Sequence, residues 1–382
     1  MSEKTPSKKA YEDARNCTHR KLEGASDDGI VTLEKYFGTA MERKLKNHHC
    51  GVQSVSVGGL ELASLPRRHQ LRVEPKPAKR SREVCKGLRP RRGHVHGQCV
   101  GSEWDQPLAS PSEMYLDRRV SRPKGGAKRG SETAGYCIPT WHGISHAWAP
   151  AAILEQEPKC PVTVNNVTFQ PKDIKRLLTD VYYGAKSSTV FAGSRYNGNN
   201  DSTDQYGRHT DYSYRDLNPG FFHIAATNLL GLLNTTFFVD TDAGYEVHNR
   251  PVVGFKVYEQ TAMSPQKAAN AFYGLETYPW NANVTNIVYV KSRLSWINET
   301  EADGGLVASG ANEKLTVGAY YDYLLELDES EEIIGGEWLY GSNGNHPDFL
   351  WFLQGKPPAD TVTKIGLSYA NVAKLLEKSV SC

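Results

Sequence analysis

The chain has 382 residues, 23% charged and 39% hydrophobic, with a formal net charge of +2. A chain of this length buries a sizeable core and holds two or three domains, and the composition is that of an ordinary soluble globular protein. No run of 18 or more apolar residues occurs, so no membrane-spanning helix is expected.

The opening MSEKTPSKKAYEDARN has no apolar stretch able to act as a secretory signal. Seven cysteines (Cys17, Cys50, Cys85, Cys99, Cys137, Cys160, Cys382) are odd in number and too few for a disulfide scaffold. Six Asn-x-Ser/Thr sequons stand at Asn16, Asn166, Asn200, Asn234, Asn283 and Asn298, a pattern that favours a secreted glycoprotein. The two signals for compartment oppose each other.

Thr32 to Leu45 (TLEKYFGTAMERKL) is a short amphipathic stretch. Between Arg67 and Arg92, eleven Lys/Arg stand against two Glu, interleaved with Pro, and Arg118 to Arg129 is similar. Such a composition buries too little apolar surface to offset chain entropy, so residues 46–130 are expected to be disordered. A basic arm for nucleic acid is the functional alternative, but no nucleic-acid module accompanies it. A misjudged exon or reading frame is the plainer account, and no nucleic-acid partner is expected. The division expected is 1–133, mostly disordered or aberrant, and 134–382, a folded catalytic region.

Trp141 to Ile153 (WHGISHAWAPAAI) reads as a helix start, with Ser145 at or near the N-cap and Pro150 within the first turn. Pro171-Lys172-Asp173 then precedes Ile174, Leu177, Leu178 and Val181 at i, i+3, i+4, i+7, an amphipathic helix closing near Gly184. After an Asn/Asp/Gly-rich loop (Asn197 to Asp204), strands are expected at Phe221–Leu229, Thr236–Asp240, Gly254–Glu259, Ile287–Lys291, Ala319–Leu327 and Ile333–Leu339. The fold class is α+β, with an N-terminal helix followed by an antiparallel sheet.

A helix N-terminus favours an anionic nucleophile, because its unpaired amides and the helix dipole stabilise the charge. Papain-like enzymes place a Cys there. Ser145 holds that place here, with His223 in PGFFHIAATNLLG as the expected general base on a strand and Asp240, ending TTFFVD, as the carboxylate that orients it. His346 and His209 compete with His223, and Asp242, Asp204 and Asp348 compete with Asp240. The oxyanion hole rests on the Ser145 amide and an unnamed partner. Trp141, Trp148, Phe221 and Phe222 are positioned to exclude water from such a site, or to serve as core aromatics.

The run Val247 to Gln260 reads VHNRPVVGFKVYEQ, β-formers broken by Asn249, Pro251 and Gly254, which predicts a strand, a turn and an edge strand. Val247, Asn249, Pro251, Val252, Gly254, Phe255, Lys256, Val257, Tyr258 and Glu259 resemble the thirteen-residue elicitor peptide of the secreted oomycete (Phytophthora-type) transglutaminase elicitor family. His248, Arg250 and Val253 replace its Trp, Gln and Arg. The resemblance covers about Ala134 to Leu376 and a fragment near Leu33–Leu45.

It implies a papain-like core, secretion, and transfer of a protein-bound glutamine acyl group to a lysine amine. It also implies Ca²⁺ dependence and recognition of residues 247–259 by a plant immune receptor. The family's nucleophilic Cys aligns with Ser145, which puts activity in question. A catalytically dead elicitor and a papain-like hydrolase are the alternatives. For calcium, Asn197–Asp204 and the run Asp328, Glu329, Glu331, Glu332 hold several oxygens, but neither matches an EF-hand loop and no ligand is assigned.

Overall fold

A computed structural model describes residues 24–48, 143–198, 201–244, 246–298 and 304–382, together with short strands at Gln53–Ser54, Pro107–Leu108, Gly126–Lys128 and Gly135–Cys137. Most of the stretch expected to be disordered lies outside the described residues. Within it, Leu45–Asn47 forms a 3₁₀ turn and Gln53–Ser54 pairs with Phe255–Gly254.

The labelled helices are α1 (Gly24–Phe37), α2 (Ser145–Leu154), α3 (Pro171–Gly184), α4 (Pro219–Ala226) and α5 (Tyr369–Val380). The strands of the main sheet are β1 (Gln53–Ser54), β2 (Thr189–Ala192), β3 (Phe238–Asp240), β4 (Asn249–Met263), β5 (Asn286–Ile297), β6 (Thr316–Leu327), β7 (Ile333–Trp338) and β8 (Leu350–Leu353). They form an eight-stranded antiparallel sheet in the order β7-β6-β5-β4-β3-β8-β2, with β1 also paired to β4. This confirms the expected mixture of helix and antiparallel sheet.

The chain divides into two compact units. The sheet unit draws on Met1–Val57, Ser188–Asn298 and Lys314–Gln354, and the helical unit on Gly58–Ser187, Glu299–Glu313 and Gly355–Cys382. Helix α1, which overlaps the family-like fragment near 33–45, packs Ile30 and Leu33, both 0% exposed, into the core of the sheet unit.

In the sheet unit, α4 lies on the inner sheet face and buries Phe221, Phe222, Ile224 and Ala225 against Val290, Leu294, Tyr321 and Tyr323. Gly220 permits this approach, since a Cβ there would stand 2.6 Å from the carbonyl oxygen of Gly335. In the helical unit, α3 forms as its spacing predicts. Gln170 and Asp173 make a capping box, Pro171 opens the helix, and Ile174, Leu177, Leu178 and Val181 are buried. A disulfide joins Cys160 to Cys382 in this unit, although the odd cysteine count gave no pairing.

Candidate active site

Ser145 is the first residue of α2 and is buried, with Ile144 as an N-cap that makes no side-chain capping bond. The amides of Ala147 and Trp148 both reach the carbonyl of Ile144, at 2.9 and 3.2 Å, so the helix turns tightly at its start. Earlier amides of a helix have no acceptor within it, and they are the groups that would hold an anion formed at position 145. Pro150 is the sixth helical residue and lies in the second turn, not the first as expected. There it has no N–H to give the carbonyl four residues back, and the short helix tolerates it. Trp148 is buried core, while Trp141 lies outside the described residues.

His223 lies on a helix, not on the expected strand. Phe221–Leu229 (FFHIAATNL) is mostly apolar, broken by His223, Thr227 and Asn228, and periodicity alone does not assign so short a run to helix or strand. Asn218 decides it, accepting from the amides of Gly220 and Phe221 with Pro219 at the first helical position. The His223 ring is sealed in the core at 1% exposure. Its Nδ1 meets the Tyr323 hydroxyl at 2.8 Å, and the ring stacks on His48 at 5.4 Å. Burial, reinforced by His48, pushes its pKa well below the ordinary value, so the ring is neutral. No hydrogen bond or ion pair joins it to Asp240 among the described residues.

Asp240 ends β3 and is 0% exposed. Its Oδ1 accepts the His248 amide at 2.7 Å, while Oδ2 has no hydrogen-bond partner. Asp348 takes the Tyr196 amide on both oxygens, at 3.2 and 2.9 Å, and its own amide donates to the Asp240 carbonyl. Asp216 takes the Ser194 amide at 2.8 Å. Gly193, at φ +85, lets the 193–196 turn close over these groups. Burial raises all three carboxyls, Asp216 to about 6, Asp240 to about 7 and Asp348 to about 8. Neighbouring carboxylates contribute to each of these rises, while backbone amides and, for Asp240 and Asp348, Arg195 oppose them.

The imidazole with a tight carboxylate partner is His209, whose Nδ1 stands 2.7 Å from Asp201 Oδ2. A hairpin brings them together. Asp204 Oδ1 accepts the amides of Tyr206 and Arg208, Gly207 takes φ +81, and Thr203 bridges to His209. Burial pushes the Asp201 carboxyl up, but amides of Asp211 and Ser202 with His209 and Thr210 outweigh it and hold the pKa below the usual value. The His209 ring stacks on Tyr214 at 3.7 Å.

These rings line a cavity of about 280 Å³, counting its open mouth, with Trp338, Asn218 and His346. His346 is buried and stacks on Trp338 at 5.0 Å. Its Nδ1 sits 2.9 Å from the Pro347 carbonyl, which makes that nitrogen the donor and leaves Nε2 as the base. Burial lowers its pKa to about 4. Asp201 was missed from sequence because its pairing arises only when the hairpin closes.

Among the described residues, several oxygens of the loops considered for calcium already have donors. The Asp201 and Asp204 oxygens are taken by backbone and side-chain donors. Asp328 caps the amides of Ser330 and Glu332, and Glu331 pairs with Lys46 at 3.0 Å. Among the described residues, no group of three or more His, Cys, Asp or Glu converges as metal ligands.

The segment 247–259 is not a strand, a turn and an edge strand. Asn249 to Met263 is one strand in the sheet interior. Pro251 faces Phe238 on β3, Phe255 lies between Gln53 on β1 and Leu294 on β5, and Val252 is 0% exposed. Register shifts against β5 leave Val253 and Tyr258 as the extra residues of two irregularities, which lets the strand carry Gly254 and Pro251 without breaking.

A family model described as transglutaminase elicitor matches residues 112–382. The chain is also similar to the crystal structure of the GP42 transglutaminase from Phytophthora sojae, at 46% identity and a TM-score of 0.72, over 93% of this chain and 98% of that one. No curated protein matches it.

Proposed function

The chain belongs to the transglutaminase elicitor family, and from that premise we propose that its fold is built for acyl transfer from protein-bound glutamine to a lysine amine, with Ser145 in the nucleophile's place. In that reaction a thiolate attacks the glutamine γ-carbonyl and ammonia leaves. The lysine amine then displaces the thiolate from the thioester to give the isopeptide. The observation that carries the reading is the position of Ser145 at the first residue of α2, buried and backed by Trp148. A hydroxyl there is far less acidic than a thiol and is not ionised by an imidazole alone, so the chain as it stands is a weak or silent enzyme.

The base on this reading is an imidazole held by a carboxylate. Within the sheet unit His209 pairs with Asp201 at 2.7 Å, His346 is buried against Trp338, and His223 is enclosed with Tyr323 and His48; substitution of each decides which is the base. Asp240 fits the orienting role poorly, since its partner is the His248 amide.

Extracellular function is supported by the Cys160–Cys382 disulfide and by four sequon asparagines, Asn166, Asn234, Asn283 and Asn298, that are all exposed. The second reading, a catalytically silent elicitor recognised by a plant receptor through residues 247–259, is favoured by Ser145 itself. Papain-like hydrolysis differs only in passing the acyl group to water.

Amine incorporation into a glutamine donor protein separates these readings. Ser145→Cys is expected to raise incorporation by about 10³-fold or more. In that background replacing the base should lower kcat by about 10²-fold or more, and His209→Gln, His223→Gln and His346→Gln, compared for kcat and for melting, tell which imidazole it is. Ammonia release without incorporation marks the hydrolase. A Ser145→Cys protein that folds and still transfers nothing overturns the nucleophile assignment and leaves the silent elicitor.

A further inference from the structure

The outer face of the sheet is covered over only part of its length. At one end Ala268 and Ala269, just after β4, pack with Tyr278, Ile287, Leu324 and Leu339. At the other end, register places Lys256 opposite Arg293 and Arg293 opposite Tyr320. Tyr258, set out of register between Val257 and Glu259, stands 50% exposed, and Tyr320 stands 54% exposed. Their rings lie 5.5 Å apart.

Each ring carries a cation. Lys256 Nζ is 4.7 Å above Tyr258, and the Arg293 guanidinium is 5.9 Å from Tyr320. Among the described residues neither cation has a carboxylate partner, and the Arg293 hydrogen bond goes to Ser295 Oγ at 2.7 Å. Lys291 and Glu259 face each other at the border of the patch. Tyr and Arg dominate the residues that anchor protein interfaces, and cations held over rings are already positioned for a partner. Two cations without a carboxylate of their own call for acidic groups on that partner.

We propose that Lys256, Tyr258, Arg293 and Tyr320 form one docking surface for an acidic protein segment of the recognition partner. The elicitor surface of the folded protein is therefore composite and extends from the 247–259 strand onto β5 and β6. The burial of Asn249, Val252 and Phe255 in the sheet supports this, since the folded chain presents mainly the far end of that segment. The proposal rests on the elicitor reading above.

The test uses the intact chain on suspended plant cells, reading the oxidative burst against dose, and the labelled chain on plant plasma-membrane vesicles. Tyr320→Ser and Arg293→Gln are each expected to raise the half-maximal dose about 10-fold or more, with unchanged melting. Arg293→Gln keeps a polar contact to Ser295 and guards against misfolding of the first variant. Vesicle binding should weaken as NaCl rises from 50 to 300 mM and vanish after protease treatment of the vesicles. If Lys256→Gln and Tyr258→Ser shift the dose while Tyr320→Ser and Arg293→Gln do not, the composite surface is overturned and the elicitor reading stands. If the unaltered chain evokes no burst at any dose, both fall. Binding that survives protease treatment overturns the acidic protein partner.

Discussion

In the helical unit, Glu155 is 3% exposed and accepts from the hydroxyls of Tyr182 and Tyr369, at 2.8 and 2.6 Å, and from Lys356 at 2.8 Å. Glu157 accepts from Lys175 at 3.2 Å and from the amides of Leu306 and Val307 at 3.0 and 2.8 Å. In the sheet unit, Asp240 is buried as deeply, but the hydrogen bonds favouring its charged form come only from the backbone amides of His248 and Asp242, and Oδ2 has no hydrogen-bond partner. Asp242 crowds it with like charge, and Asp240 and Asp216 together do the same to Asp348. The supply of donors, rather than depth of burial, separates a carboxylate that ties elements together from one that holds a proton near neutrality.

The sharpest way to break this contrast is to remove one member of the buried pair. Lys175→Met strands the Glu157 charge between two amides and is expected to cost about 3–5 kcal/mol by urea unfolding. A loss under about 1 kcal/mol would mean the amides alone satisfy Glu157.

Opening the Cys160–Cys382 link ranks next. It closes a sequence separation of 222 residues, and Cys382→Ser is expected to cost about 2–5 kcal/mol under oxidising conditions. The same melting point with and without reductant would count against it.

Asp240→Asn tests the other side of the contrast, with an effect that changes with pH. Its folded pKa is raised to about 7, so the stability it contributes is fully present below the unfolded carboxylate range and is lost as pH rises through about 7. The wild-type chain therefore loses stability between about pH 4 and 8 at this cluster, and the variant should lose less. Its disadvantage shrinks, or reverses, from pH 5 to pH 8. Parallel stability curves for the two proteins would show that Asp240 is ionised throughout. The smallest effect is expected from Asn218→Ala, which removes the cap of α4 at about 1 kcal/mol in chemical unfolding.

The regions that sequence reading recovered have strong local signals. Helix α3 shows its period and its Pro171 start, and β3, β4, β5, β6 and β7 lie over five of the six expected strands. Ser145 at the opening of α2 was legible from the Gly143 and alanine pattern around it. His223 was misread because the short, mostly apolar run around it shows no clear helical or strand period. The 247–259 segment was misread because Pro251 and Gly254 signal breaks that neighbouring strands override.

By itself the sequence determined the mixed fold class, the main helices and strands and the family, because each rests on contiguous residues. Only the tertiary structure decided that His223 faces Tyr323, one hundred residues away in sequence, and that Asp240, Asp348 and Asp216 share one buried pocket of charge. The joining of Tyr258 to Tyr320, and of Asp201 to His209, was settled there too. Those pairings depend on register and chain closure, and their energies come from burial shared between distant segments, which no local pattern carries.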